Sequence, residues 1–292
     1  MTENISSFSP IVQRLWALMN PCTICPRNCR VNRSKGELGF CGIADMPVLS
    51  SQGPHFGEES VLVGSGGSGT IFFAGCNLNC EFCQNYDISH FRHGQPITLN
   101  ELADFMLDLQ SYGCSNINFV TPTHIAPAIA AGCEIARKKG LNLPTVYNSS
   151  GYDSVETLKL LEGYMDIYMP DVKFSDSAAA KEFANAPDYP EISFAAVKEM
   201  HRQVGDLQIK KGLAVRGLLV RHLVLPNELA GSFKVIDFLA KQIGKNTAIN
   251  VMDQYRPCFK ADSHPAINRR PTPEEVEEVR QYALKKGLNV IS

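Results

Sequence analysis

Three cysteines stand close together in the stretch AGCNLNCEFCQN (74–85): Cys76, Cys80 and Cys83, spaced C-x3-C-x2-C. The stretch continues an apolar run, TIFFAG (70–75), so the thiols sit where a strand gives way to a loop. Four soft ligands would close a zinc or iron site, whereas three leave one position open. Thiolates at this spacing on one loop can curl around a cubane iron–sulfur cluster and ligate all but one of its irons. The remaining iron is then free for an exogenous chelator. Two other readings stand beside this one: a zinc ion completed by a distant residue such as His90 or His93, or three packed thiols.

A second thiol set lies upstream. CTICPRNCRVNRSKGELGFC places Cys22, Cys25, Cys29 and Cys41 at C-x2-C-x3-C-x11-C, with Pro26 and Gly36 as turn formers. Four thiols in one short segment read as a closed metal site, either a zinc knuckle or an auxiliary iron–sulfur cluster. The first three also form a C-x2-C-x3-C loop, but no strand precedes them, so the open site is assigned to Cys76, Cys80 and Cys83. The interleaved Arg27, Arg30 and Arg33 read as solvated charge or a docking patch for an acidic partner. Cys114 and Cys133 fall in helical patterns and read as core. Cys258 reads as structural, with a hydrogen-donating thiol or a further ligand as the alternative.

The elements that must carry these loops alternate. Strand patterns occur at 70–75, 116–120 (NINFV), 144–150 (PTVYNSS), 166–173 (DIYMPDVK), 217–225 (GLLVRHLVL) and 248–255 (AINVMDQY). Helical patterns separate them. One helix is expected from Thr98 or Asn100 to Gly113, one from a cap at Asn227 to Gly244, and one over TPEEVEEVRQYALKKG with acids first and lysines last. Six strand–helix units imply parallel strands in a partial or full barrel or a doubly wound sheet, with ligands at the C-terminal strand ends. The run GSGGSG (64–69) formally matches a dinucleotide fingerprint, but a strand follows it rather than a helix, so it reads as a flexible lead-in loop.

Composition bounds the rest. The chain has 292 residues, 44% of them hydrophobic, with a formal net charge of -2, enough for a sizeable core and no general case for nucleic-acid or membrane-surface binding. The N-terminus lacks a basic segment, and Gln13 and Arg14 break its apolar run. It reads as a short helix with Ser9 as cap, Pro10 in the first turn and Trp16 on board. No uninterrupted apolar span of about 18 residues occurs. A cytoplasmic location is expected, where thiols stay reduced and ten cysteines point to metal or catalysis rather than disulfides.

With Phe82 as the aromatic, Cys-x3-Cys-x-aromatic-Cys after a first strand resembles the signature of radical S-adenosylmethionine (SAM) enzymes. The wider context GSGTIFFAGCNLNCEFCQNYDIS, with VMDQYRPC (251–258), resembles more narrowly a branch related to pyruvate formate-lyase activating enzymes. This resemblance spans roughly residues 20 to 290. It implies an α/β fold, a partial (β/α)6 TIM-like barrel over 61–292, with a small Cys-rich metal-binding extension over 1–60. It further implies a [4Fe-4S] cluster on Cys76, Cys80 and Cys83, whose open iron is chelated by SAM, and reductive cleavage of SAM to a 5′-deoxyadenosyl radical that abstracts hydrogen. Expected partners are a protein substrate, with a glycyl radical enzyme as the leading case, and a flavodoxin- or ferredoxin-type reductant.

The strand ends supply further candidate cofactor contacts. The family's second strand ends in Gly-Gly-Glu, and this chain has Thr121, Pro122, Thr123 and His124 instead, which offers the hydroxyls of Thr121 and Thr123 but no carboxylate. The third offers Asn148, Ser149 and Ser150. The fourth offers Asp171 and Lys173, on one face by alternation, resembling the Asp-x-Lys pair of glycyl-radical activases, with a plain salt bridge as the alternative. Of Arg221 and His222 only one can face the interior, and Arg221 there would meet a cofactor carboxylate or a buried acid. Gln254 and Arg256 are expected at the substrate mouth. Three functions follow: activation of a glycyl radical enzyme, radical modification of another protein, nucleic acid or small molecule, and a non-catalytic iron–sulfur electron carrier.

Overall fold

Short apolar runs rich in β-branched and aromatic residues become strands here because helices cover them, as the computed structural model, which describes residues 5–291, makes explicit. In chain order the elements are α1 (Pro10–Ala17), β1 (Val48–His55), the single turn α2 (Ser60–Val63), β2 (Ser68–Phe73), the single turn α3 (Tyr86–Ser89), β3 (Gln95–Pro96) and α4 (Leu99–Ser111). There follow β4 (Ile117–Val120), α5 (Ala126–Lys138), β5 (Thr145–Ser149), α6 (Val155–Leu160), β6 (Ile167–Pro170), α7 (Ser177–Ala184) and α8 (Tyr189–Val204). The chain ends with β7 (Gln208–Lys210), β8 (Leu213–Leu223), α9 (Ser232–Phe238), β9 (Ala248–Met252), α10 (Pro273–Lys285) and β10 (Asn289–Val290).

The strands form one sheet in the order β10-β9-β8-β6-β5-β4-β2-β1-β3, with β7 on β8. The pairs β2–β4, β4–β5, β5–β6, β6–β8 and β8–β9 are all parallel, giving the six expected strand–helix units. The ends of the strand order do not pair, so the sheet is a partial barrel. Every residue of β4, β5 and β6 is buried, which is the pattern of parallel strands covered on both faces.

The N-terminal segment packs into this barrel. Strand β1 pairs antiparallel with β2, so the sheet runs across residue 60. Cys22, Ile24, Cys25, Cys41 and Ile43 share the main core with barrel residues such as Ile71 and Phe119. Arg33, expected in solvent, is fully buried. Its Nε and Nη2 donate to the Ala44 carbonyl at 2.9 and 2.5 Å, and its Nη1 donates to the His124 carbonyl at 2.6 Å. Arg30 is exposed, as expected.

Local signals explain most boundaries. Ser9 caps α1, Thr98 caps α4 in a capping box with Glu101, and Thr272 does the same for α10 with Glu275. One boundary differs from expectation. Asn227 is not a cap: it adopts φ 60 in a short turn, its Nδ2 donates to the Ala266 carbonyl, and the helix starts only at Ser232 after Gly231. Asparagine tolerates that left-handed backbone, and the turn uses it to change direction. The glycine run 64–69 is also explained by packing rather than flexibility. A Cβ on Gly66 would fall 1.9 Å from the Gly113 carbonyl oxygen, where the run passes the end of α4. Gly66→Ala is therefore expected to cost about 1–3 kcal/mol, read as a lower urea midpoint at unchanged slope.

Candidate active site

The three-thiol loop is held in place from several sides. Gly75, at φ +82, turns the chain out of β2. The Glu81 amide donates to the Phe183 carbonyl at 2.9 Å, and Asn77 Nδ2 donates to the Tyr152 carbonyl at 2.6 Å. Phe82 is buried and packs edge-on against Phe174 and Tyr255, at 6.2 and 5.7 Å between centroids. The aromatic of the motif thus anchors the loop between its last two cysteines.

The thiols suit a cluster. The Leu78 amide donates to Cys76 Sγ at 3.4 Å, and Cys83 Sγ lies 3.1 Å from Ser89 Oγ. Burial pushes the Cys76 thiol up to about 11 and raises Cys80 and Cys83 as well, while the Lys173 charge acts in the opposite direction on all three. Such thiols become thiolates when a cationic centre displaces their protons. A single zinc ion fits poorly. The proposed extra ligand His90 is turned to the Cys80 carbonyl (3.2 Å) and lies against the Phe259 ring (4.4 Å), and His93 is exposed. Among the described residues, no three His, Cys, Asp or Glu side chains are gathered to hold one metal ion. A cubane spreads its ligands over several irons and needs no such convergence.

The three thiols open into a cavity of about 720 Å³, within the size range of small-molecule sites. Phe82, Thr121, Asn148, Ser149, Asp171, Lys173 and Arg221 all line it, as do Ser150 and Gln254. Arg256 lines a smaller adjoining hollow of about 430 Å³ together with Cys258. Thr121 takes φ 61, a strained backbone for a β-branched residue and a common mark of a working site. Thr123, expected to contact cofactor, does not line the cavity: its hydroxyl donates to the buried Asp153 at 2.7 Å. Ser149 lines the cavity, yet its hydroxyl also donates to Asp153, at 2.6 Å. The ends of β4 and β5 thus each spend a hydroxyl on the buried Asp153 carboxyl.

Asp171 and Lys173 do share a face and form a direct ion pair. Burial alone would lower the Lys173 pKa, but the Asp171 charge outweighs it and the lysine stays a cation. His222 faces away from the cavity, buried between Val172 and Ser232, so Arg221 is the inward residue. Its guanidinium is taken by protein carboxylates: Nε and Nη2 donate to Glu59 at 2.7 and 2.6 Å, and Nη2 also meets Glu58. Of the two alternatives open for Arg221, the buried ion pair is the one that forms.

Glu58, Glu59 and Asn250 escaped the sequence reading. Asn250 Nδ2 donates to Glu59 Oε1 at 2.8 Å, which ties the segment before α2 to β9 as well as β8. The only local signal was a pair of acids in GEES (57–60) just ahead of an apolar turn. With Glu58, Glu59 and Asp171 facing Arg221 and Lys173, the cavity wall carries one carboxylate more than it carries cations. At the rim, Arg280 pairs with Asp253 at 3.1 Å.

The family follows from comparison. The sequence model of the Radical SAM superfamily matches residues 70–238. The chain is 36% identical over 280 residues to the uncharacterized protein MJ0674 of Methanocaldococcus jannaschii, covering 92% of this chain and 76% of that one. A second uncharacterized protein of that organism, MJ0808, is 25% identical over 299 residues, covering 92% and 79%. In fold the chain is similar to Streptococcus suis SuiB bound to precursor peptide SuiA, at a TM-score of 0.51 and 12% identity, covering 74% of this chain and 46% of SuiB, about half of that protein's length. This chain belongs to the radical SAM superfamily.

Burial pushes the Glu59 carboxyl up, but hydrogen bonds and charge from Arg221, with help from Asn250, outweigh it and the net shift is downward. The pair therefore stabilises the fold above the ordinary carboxylate range, and that contribution is lost as pH falls through the depressed Glu59 value. Arg221→Met strands two buried acids and is expected to cost about 3–5 kcal/mol at neutral pH, less in acid, measured by urea unfolding across pH.

Proposed function

We propose that this radical SAM enzyme binds adenosylmethionine in the cavity beside Cys76, Cys80 and Cys83 and abstracts hydrogen from a glycine of a partner protein. When bound, the cluster and its cosubstrate supply reductive cleavage of SAM to a 5′-deoxyadenosyl radical. The observation that carries the reading is the meeting of the three thiols with the Asp171–Lys173 pair on one cavity wall. Adenosylmethionine carries an ammonium, a sulfonium and a carboxylate, a net positive charge that the surplus wall carboxylate complements. Asp171 accepts from the ammonium or a ribose hydroxyl, Lys173 meets the carboxylate, and Asn148 and Thr121 add neutral hydrogen bonds. Phe82, Leu78 and Val120 make the wall around the thiols apolar and exclude water.

The mouth supports a polypeptide substrate. Tyr86, which lines the adjoining hollow, and Phe91, packed edge-on against it, stand exposed, and an apolar rim of this kind suits a protein loop. A flavodoxin- or ferredoxin-type protein is the reductant in this reading. The carboxylate-free end of β4 favours a second reading, in which the same chemistry acts on a different protein, nucleic acid or small molecule.

Anaerobically reconstituted and dithionite-reduced protein is expected to release 5′-deoxyadenosine from SAM. A Cys76→Ala/Cys80→Ala/Cys83→Ala variant should release none, and Asp171→Asn should lower the yield by about tenfold, one charge-assisted hydrogen bond's worth. Cluster formation with no cleavage and no SAM-induced change in the reduced signal would leave the electron-carrier reading standing. A glycyl radical signal on adding a candidate partner would decide between the first and second readings.

A further inference from the structure

The four upstream cysteines are drawn together by the fold. A tight hairpin sets Cys22 and Cys25, with the Cys22 amide bonded to the Val31 carbonyl at 2.9 Å and the Arg30 amide to the Cys22 carbonyl at 2.9 Å. Cys22, Cys25 and Cys41 are buried and Cys29 is partly so. The turn before Cys41 lies on Cys29, where a Cβ on Gly39 would fall 3.1 Å from Cys29 Sγ. The Phe40 amide donates to Cys29 Sγ at 3.3 Å. A neutral thiol is a weak acceptor, so amides aimed at sulfur suit thiolates.

Two cations stand beside this set without a carboxylate. The bonds of the buried Arg33 guanidinium all go to carbonyl oxygens, two of them to that of Ala44, three residues beyond Cys41. The half-buried Arg27 donates to the Asn77 and Asn185 carbonyls at 2.7 and 2.6 Å and lies 3.8 Å over the Phe40 ring, with its Nη2 atom buried and without a hydrogen bond. Buried cations call for anionic charge nearby.

We propose that Cys22, Cys25, Cys29 and Cys41 ligate a second iron–sulfur cluster, closed by four protein thiolates, whose negative charge Arg27 and Arg33 offset. Four thiolates on one zinc at about 2.3 Å each would crowd the sulfurs to within about 4 Å of one another. The thiols here are neighbours but are not gathered on a single-ion point. A cluster spreads its four cysteine ligands over several irons and needs no such point. Having no open iron, it takes no SAM. It lies against the open site, because a Cβ on Gly75 would meet the Cys41 carbonyl at 2.8 Å and Arg27 holds the loop at Asn77. This assignment is independent of which substrate the enzyme modifies.

The test is metal content of the full chain after anaerobic reconstitution with iron and sulfide. About eight irons per chain are expected for the parent, and about four for both the Cys76→Ala/Cys80→Ala/Cys83→Ala variant and a Cys25→Ser/Cys41→Ser variant. The cluster left in the triple variant should give a reduced EPR signal that SAM does not alter. Four irons in the parent, or a triple variant that holds one zinc and no iron, would overturn the proposal. If Cys25→Ser/Cys41→Ser does not fold, the triple variant alone decides. Loss of the SAM response from the Cys25→Ser/Cys41→Ser protein would instead count against the reading of the cavity.

Discussion

The constraint on which the architecture depends is the burial of Arg33. A guanidinium out of water is costly unless its donors are met, and here they are met by backbone carbonyls fixed in place. One of these belongs to His124, at the end of β4. Burial holds the His124 imidazole well below its usual range, near 3, so the ring is neutral and its Nε2 meets the Ala74 carbonyl at 2.9 Å. Ala74 precedes Gly75 and Cys76. One chain of contacts therefore joins the upstream thiol segment, the second parallel strand and the three-thiol loop. None of these can shift without leaving a buried polar group unpaired.

A second tie works across the barrel. The sheet is not closed by strand pairing, yet Glu58 and Glu59, just after the antiparallel strand β1, reach Arg221 on β8 and Asn250 on β9. Side chains thus bridge strands from opposite ends of the parallel run, over the cavity. Because these acids and Arg221 are buried, the bridge is strong only while charged on both sides. The same acids line the cavity, so the groups that hold the mouth in shape also set the sign of its wall.

The sequence was legible where a periodicity or a spacing leaves one physical answer. Parallel strands buried on both faces must be continuous apolar runs, and all six were found within a few residues. The thiol spacings were equally plain. Strand β1 was not, because VLSSQGPH contains glycine and proline and owes its extended form to pairing with β2. The partners of Thr123 and Arg221 were not legible for another reason. Sequence places a residue at a strand end but does not say which buried partner claims it, and Asp153 and Glu59 lie 30 and 162 residues away from them. Arg33 looked like surface charge because nothing local marks the carbonyls that receive it.

The same logic accounts for the departure at β4. A Gly-Gly-Glu turn would leave the strand end free to hold a ligand with backbone and carboxylate. In this chain that end carries Thr123, spent on Asp153, and His124, spent on Ala74 with its carbonyl on Arg33. The turn is occupied with joining the upstream thiol segment to the barrel, so it has no group left to offer apart from Thr121. Acidic groups reach the cavity from other elements, Asp171 after β6 and the Glu58–Glu59 pair before α2. The cavity's carboxylates thus come from segments other than the one that Arg33 ties down.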